Sequence, residues 1–503
     1  MRLKNSSYNV FFNILQLMIT TVLTFATRTF FIRYLGKEML GLDGLFTNIL
    51  SMLSLTDLGL GTAISFSLYK PLAEGDDNKV SCLMSLYKRI YRIVAALVLV
   101  IGLAIVPLLP YFSNGYTGNK LYIYYLLYLG NTIITYLLAY KETLIVADQH
   151  EHKLFFNRLL FSIIMYVSQI IILVKTHSFI LYIFAMLLST FLRNLINNIY
   201  ITKTYNRVNF NTHDKMSKEE KNVIVQNTKN MFVSKIGDYL LNGTDNIIIS
   251  AIDITLTGIY SNYLAIIGIM KTLINSIYNG VTASFGNVVA TESKDVQERI
   301  FKISTFICFA ISGLITMELI FLFNPFIRIW AGSDYTIEFW ISIVIALNFY
   351  FYSNHISLNS IKIAAGQYKA DRFVPIFQAI VNLIVSIVLG YYIGLAGVVL
   401  GTLISYLTVG FIFRPILLIK NIFNKSAVSY FCNQAKYMIV LFAIFGINIL
   451  IFNFADFDSS MIMLVAKSLI VFINYIIVFF IAFNKDYSFN YTLSLIKKRI
   501  SKE

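Results

Sequence analysis

Apolar stretches recur from one end of this 503-residue chain to the other, and many reach about 18 residues or more, the length that reads as a membrane-spanning helix. Inside a bilayer the backbone must satisfy its own N–H and C=O groups, so only helices and closed barrels cross it. A barrel would show short segments of alternating polarity, and the sequence has none. The chain therefore reads as all-α and polytopic. Composition agrees: 57% of residues are hydrophobic, 13% are charged, and mean hydropathy is +0.70. Soluble domains carry about 25% charged residues.

About fourteen spans are predicted by length and hydropathy. They cover roughly 9–35, 40–69, 90–111, 121–146, 159–174, 179–200, 222–250, 257–289, 301–326, 339–365, 373–392, 395–423, 437–454 and 461–483. Orientation follows from Lys and Arg, which are retained in cytoplasmic loops. Clusters at Arg2/Lys4, Lys70–Arg92, Lys141–Arg158, Lys203–Lys221, Lys294–Lys302, Lys362–Arg372, Arg414–Lys436 and Lys485–Lys502 fall at every second loop. They hold about thirty of the 41 basic residues. The alternate loops hold Lys37, Lys120, Lys175 and Arg328. Both termini are thus expected in the cytoplasm, and the outer loops are too short to fold as domains. The same asymmetry accounts for the net charge of +15, which removes the reason to invoke nucleic acid. Cys82, Cys308 and Cys432 lie far apart and imply no disulfide framework. The first apolar stretch is too long for a cleavable signal peptide, and no small-residue cleavage site follows it.

The sequence also repeats itself. Pro107 and Pro325 each end a third helix of a six-helix unit. The run 144–153 recurs as 361–370, where Ala147 matches Ala365 and Gln149 matches Gln367 at the same separation as the two prolines. Leu40–Phe46 answers Thr257–Leu264 at nearly that offset, and Thr62–Ala63 answers Thr282–Ala283. An even number of helices per unit gives both halves one orientation, so parallel repeats are expected. The expected organisation is a bundle over 1–202, a cytoplasmic linker over 203–221, a second bundle over 222–424, and a helix pair with a basic tail over 425–503.

Several spans carry a polar stripe. In 222–250, Lys235, Asp238, Asn242 and Asp245 share one helical face. In the first span Asn13, Gln16, Thr20, Thr24, Thr27 and Arg28 do so, and in the second Thr47, Ser51, Ser54, Asp57, Gly61 and Ser65. The eighth span carries Lys271, Asn275, Asn279, Thr282 and Gly286, and the tenth Asn348, Tyr352, His355, Asn359 and Lys362. A charge at the centre of a lipid-facing helix costs about 2.5–3.5 kcal/mol on insertion scales. Such stripes should therefore face protein or a wet cavity. Buried polar contact between packed helices is the plainer explanation, and small residues in the second span fit close helix packing. Long cations such as Arg28, Lys235 and Lys271 fit close packing poorly. Arg193, Glu318 and Lys467 are further intramembrane charges.

Enzyme signatures are lacking: there is no GxSxG, Walker loop or HExxH. His150 and His152 flank Glu151 in a loop, a weak metal pattern better read as solvated, so no metal and no cofactor is expected. His355 lies within a span and can change charge near neutral pH, which makes it a candidate for coupling beside Asp245 and Asp57. A hydrogen-bonded structural role is the plainer reading.

The opening stretch from Asn9 to Ile64 resembles the start of polysaccharide flippases of the multidrug/oligosaccharidyl-lipid/polysaccharide exporter superfamily. The matching features are the turn Arg33–Gly36 (RYLG), Gly41-Leu42-Asp43-Gly44-Leu45, the stretch Leu58–Ala63 (LGLGTA), and the hairpins at Gln149 and Gln367. The resemblance implies two six-helix bundles forming a V around a cavity that opens to alternate sides. In the Wzx-type branch such proteins move undecaprenyl-pyrophosphate-linked repeat units to the outer leaflet of the cytoplasmic membrane, for capsule, exopolysaccharide or O-antigen synthesis. Polysaccharide polymerase machinery would then be a partner. Related lipid II flippases hold pyrophosphate with basic residues inside the cavity, which makes Arg28, Lys235 and Lys271 the candidates here. Asp238, Asn242, Asn13, Gln16 and Asn275 would line the same cavity. Some relatives bind sodium, and Asp238 and Asp245 leave that open.

Physical chemistry points the same way. A polyprenyl tail can stay in lipid, whereas a sugar–pyrophosphate head cannot cross hydrocarbon with its polar groups unsatisfied. The alternatives are a multidrug exporter of the same superfamily, which should have twelve helices and a more acidic pocket, and a membrane sugar polymerase or ligase, which would need a large outer loop.

Overall fold

The computed structural model describes residues 2–53, 60–114, 116, 118–212, 243–367, 370–454 and 460–500. Among these residues every regular element is a helix. The principal ones are α1 (Arg2–Leu53), α2 (Leu60–Glu74), α3 (Asp77–Ile105), α4 (Leu121–Ala139), α5 (Phe155–Thr176), α6 (Phe179–Thr204), α7 (Ile254–Thr291), α8 (Lys294–Trp330), α9 (Phe339–Ala364), α10 (Val374–Ser405), α11 (Phe413–Phe423), α12 (Val428–Phe454), α13 (Met461–Phe483) and α14 (Tyr487–Ile500). Residues 243–252 are also helical. Ten described segments are long and apolar enough to cross a membrane, and the protein is a multi-pass membrane protein.

Two of those ten are double. α1 is broken at Gly36, whose φ of 76° suits only glycine. In an unbroken helix Arg28 and Asp43 would stand about 22 Å apart, yet they attract one another electrostatically, so the chain doubles back at Gly36. α10 is broken at Ile393 and Gly394 (φ 59°). There the hydroxyl of Ser386 donates to the carbonyl of Val398 at 3.1 Å, and Asn382 Nδ2 donates to Thr402 Oγ1 at 2.9 Å. These pairs are antiparallel, so this segment also turns back on itself. Both breaks fall where the sequence separates the first span from the second and the eleventh from the twelfth.

Helix starts are set locally. Asp76 accepts from the Lys79 N–H at 2.9 Å to cap α3, and Ser460 accepts from Met463 at 3.2 Å to cap α13. His177, at φ 51°, ends α5 in the left-handed conformation.

By packing, the chain divides into Met1–Gly258 and Ile259–Glu503. Within the first unit, α6 packs on both α4 and α5, and α1 lies against α5. A reciprocal contact stands out in this unit. A Cβ on Gly41 would lie 2.1 Å from the carbonyl oxygen of Ile254, and one on Gly258 would lie 2.2 Å from that of Lys37. Gly41 and Gly258 lie in the stretches Leu40–Phe46 and Thr257–Leu264, which the sequence reading sets against one another. The two approaches are reciprocal: each glycine leaves room for a carbonyl from the other stretch.

Within the second unit α8 packs on α9 and on the C-terminal pair α12 and α13. That pair is held by specific contacts. Phe309 stacks on Tyr437 with centroids 4.1 Å apart, the Tyr475 hydroxyl donates to the Ala310 carbonyl at 2.9 Å, and Asn474 Nδ2 donates to Asn448 Oδ1 at 3.0 Å. Gly313 leaves the room that Tyr475 needs: a Cβ there would lie 2.7 Å from its hydroxyl.

Candidate functional site

Lys235, Asp238, Asn242 and Asp57 lie outside the described residues, as does the side chain of Asn13. The other candidates can be placed.

Arg28 is half-buried on the first leg of α1. The turn at Gly36 brings Asp43 within electrostatic reach of it, and Tyr182 of α6 joins them. Asp43 accepts a hydrogen bond from the hydroxyl of Tyr128 on α4. One turn before Arg28, Thr24 donates to the hydroxyl of Tyr166 on α5 at 2.8 Å. Thr20 donates back to the Gln16 carbonyl at 2.7 Å, and Gln16 itself is half-buried. Arg28 thus has a carboxylate and the hydroxyl of Tyr182 within electrostatic reach. The attraction of Asp43 offsets part of the cost of a cation in the membrane. Asp245, on the helical stretch 243–252, is 7% exposed; Gly243 of that stretch abuts Met52 of α1.

In the second unit Lys271 and Asn275 lie one turn apart on α7, and both meet Tyr352 of α9. The Lys271 ammonium stands 4.3 Å from the Tyr352 ring centroid, and Asn275 Nδ2 donates to the Tyr352 hydroxyl at 3.0 Å. The remainder of the α9 stripe turns elsewhere. Asn348 donates to the Val399 carbonyl of α10 at 3.0 Å. His355 is buried against the π-helical turn Tyr406–Gly410, with its ring 5.2 Å from that of Tyr406. A Cβ on Gly410 would lie 2.2 Å from His355 Cε1, so the absent side chain is what admits the imidazole.

The sequence reading missed two ion clusters, a buried one in the second unit and a half-buried one in the first. In the second unit Asp371 is 1% exposed and bridges Lys362 Nζ at 3.0 Å and Arg414 Nε at 2.7 Å. Burial pushes the Asp371 carboxyl up, but the two cations outweigh it and hold it below its ordinary value. This cluster ties together the end of α9, the start of α10 and the start of α11. In the first unit Arg158 of α5 bridges Glu142 at 2.6 Å and Glu151 at 2.7 Å. Asn197 of α6 donates to Glu142 at 2.6 Å, and Arg193 lies within electrostatic reach of it. The two clusters occupy the same place in the helix order with reversed charge: acid–cation–acid in one unit, cation–acid–cation in the other.

Beyond these, His150 is held by Asp148 at 2.9 Å, and no group of three or more His, Cys, Asp or Glu suited to a metal occurs among the described residues. Glu318 faces Ser468 of α13, and Lys467 lies 5.8 Å from the Phe452 ring.

No family model and no curated protein matches the chain. Solved structures do. The lipid II flippase MurJ in its inward closed conformation is similar at a TM-score of 0.66 and 16% identity, over 95% of this chain and 99% of that one. A multidrug resistance MATE family transporter of the MOP superfamily is similar in two states. The inward-facing state gives 0.62 at 14% identity, over 79% of this chain and 94% of that one. The outward-facing state gives 0.54 at 16% identity, over 82% and 95%. At these identities the likeness establishes a shared all-α fold.

Proposed function

We propose that this protein is a flippase that carries a polyprenyl-pyrophosphate-linked oligosaccharide, such as an undecaprenyl-linked repeat unit, from the inner to the outer leaflet of the cytoplasmic membrane. The observation that supports this best is fold likeness to a lipid II flippase along nearly the whole chain. The intramembrane cations Arg28 and Lys271 suit the head group. Arginine can bind phosphate bidentately and lysine as a point charge. Amides such as Asn275 and Gln16 offer partners to sugar hydroxyls. The polyprenyl tail stays in lipid throughout, so only the head must pass, by alternating access. With the cytoplasm negative, outward movement of an anion gains about 2.3 kcal/mol per charge per 100 mV.

Fold likeness to a multidrug resistance transporter favours a second reading, multidrug export. The intramembrane Arg28 and Lys271 speak for the first. Reconstitution in liposomes decides between them. Polyprenyl-pyrophosphoryl sugars should change leaflet faster with the protein than without it, and faster still with an inside-negative potential. Arg28→Ala and Lys271→Ala should each slow exchange at least tenfold while the protein still inserts. Drug efflux without lipid exchange would overturn the flippase reading.

A further inference from the structure

Three cations converge in the first unit, at the end that the sequence reading assigns to the cytoplasm. Lys88 and Arg92 lie one turn apart on α3, and Lys141 follows the end of α4. Arg92 is within electrostatic reach of Lys88, and Lys88 is within reach of Lys141. Like charges one turn apart weaken a helix, and here a third joins them. Lys141 is not a solvated surface lysine, being only 8% exposed. Its ammonium donates to Asn198 Oδ1 at 2.9 Å and Thr202 Oγ1 at 2.6 Å, both on α6, and stands 4.4 Å from the centroid of the Phe210 ring. Lys88 Nζ donates to Asn211 Oδ1.

Phe210 and Asn211 are brought there by the segment 205–212, which is tied to α3. The Asn209 N–H donates to Ser81 Oγ at 2.8 Å, and Ser85 Oγ donates to the Thr212 carbonyl at 2.9 Å. Each of these partners of Lys88 and Lys141 is neutral. Among the described residues no carboxylate bridges Lys88, Arg92 or Lys141. Carboxylates nearby in the chain are engaged elsewhere: Glu142 by Arg158 and Asn197, Asp148 by the Tyr205 hydroxyl. Positive charge is thus gathered from two elements and partly withdrawn from water, with dipoles and a ring to hold it but no anion.

We propose that Lys88, Arg92 and Lys141 form a binding site for an anion of the phosphate class. Buried Lys141 is its floor, half-buried Lys88 its wall and exposed Arg92 its mouth. The anion supplies the opposite charge that relieves the mutual repulsion. Arginine grips a phosphate through two parallel donors, and lysine holds it as a point charge. The headgroup of an anionic phospholipid and a soluble phosphate both offer this chemistry. The site stands whether the chain moves a lipid-linked sugar or a drug.

The test uses the full-length protein at fixed ionic strength, because exposed charges are screened by salt. In neutral-detergent micelles it is titrated calorimetrically with inorganic pyrophosphate. In nanodiscs of mixed phosphatidylglycerol and phosphatidylcholine, the lipids it retains are counted by native mass spectrometry. Saturable pyrophosphate binding identifies a soluble phosphate as the ligand, and selective retention of phosphatidylglycerol alone identifies a headgroup. Neither result would overturn the proposal only if both were positive or one were; the absence of both overturns it. Lys88→Gln and Arg92→Gln should each weaken the binding seen at least about fivefold. Lys203→Gln and Arg207→Gln remove exposed cations on the same side of the unit and should change it less than about twofold. Equal losses from all four would mean diffuse attraction to a basic surface, and unchanged binding in Lys88→Gln and Arg92→Gln would mean that the anion sits elsewhere; either overturns the site. Arg92 is exposed, so its variant should fold, and monodisperse elution checks that it does.

Discussion

Replacing Asp371 by Asn should destabilise the second unit far more than removing either of its cations. Asp371 is 1% exposed, Lys362 6% and Arg414 7%, so all three charges are withheld from water. At about 3 Å separations each cation gains several kcal/mol from the carboxylate even at an effective dielectric of about 20. Asp371→Asn leaves two buried cations side by side without an anion, and breaking a buried pair in this way costs about 3–5 kcal/mol. Arg414→Gln leaves Lys362 and Asp371 as a neutral pair, so its cost should be about 1–2 kcal/mol, that of a charged hydrogen bond. The protein has two tryptophans, Trp330 and Trp340, at the end of α8 and the start of α9. Their fluorescence reports unfolding of this unit in mixed micelles under denaturant. If Asp371→Asn costs no more than Arg414→Gln, the cluster is not electrostatically governed and the argument fails.

The same carboxyl makes a pH prediction. Its folded pKa is depressed, so its contribution is present above the unfolded carboxylate value of about 3.9 and is lost as pH falls through the folded value. Stability curves of the unaltered protein and Asp371→Asn should therefore converge on acidification; parallel curves would refute it. Gly41→Ala and Gly258→Ala each drive a methyl group onto a carbonyl oxygen. Each should cost about 1–3 kcal/mol, seen as reduced monodisperse yield, and near-normal yield of either contradicts the packing. Tyr475→Phe removes one buried hydrogen bond to Ala310 and should cost about 1 kcal/mol by denaturant unfolding. No loss there would mean that the Tyr475 hydroxyl contributes nothing to holding α13.

Much of the fold could be read from the chain, because a bilayer leaves few choices. Helix breaks at Gly36 and at Ile393–Gly394 sit where apolar runs are punctuated by residues that tolerate unusual backbone angles. The placing of polar side chains was less legible. A periodic stripe marks one side of a helix, but a helix inside a bundle has neighbours on several sides. Asn348, Tyr352, His355 and Lys362 share a stripe on α9 and reach α10, α7, the π-helical turn and Asp371 respectively. Asp43 was visible within GLDGL, yet nothing local says that a turn at Gly36 returns it to Arg28. Arg414 falls among loop cations in the sequence, and only its contact with Asp371 reveals that it is buried. Clusters of that kind join residues from three helices, and no spacing rule finds them.

The crossing of Gly41 and Gly258 bears on how this sequence can drift. Elsewhere the two copies of the repeat are free to diverge, since each side chain answers to its own surroundings. At the crossing, each copy supplies both the hollow and the carbonyl that fills the other's hollow. A side chain added to either stretch presses on the backbone of the other, so the two positions are constrained together.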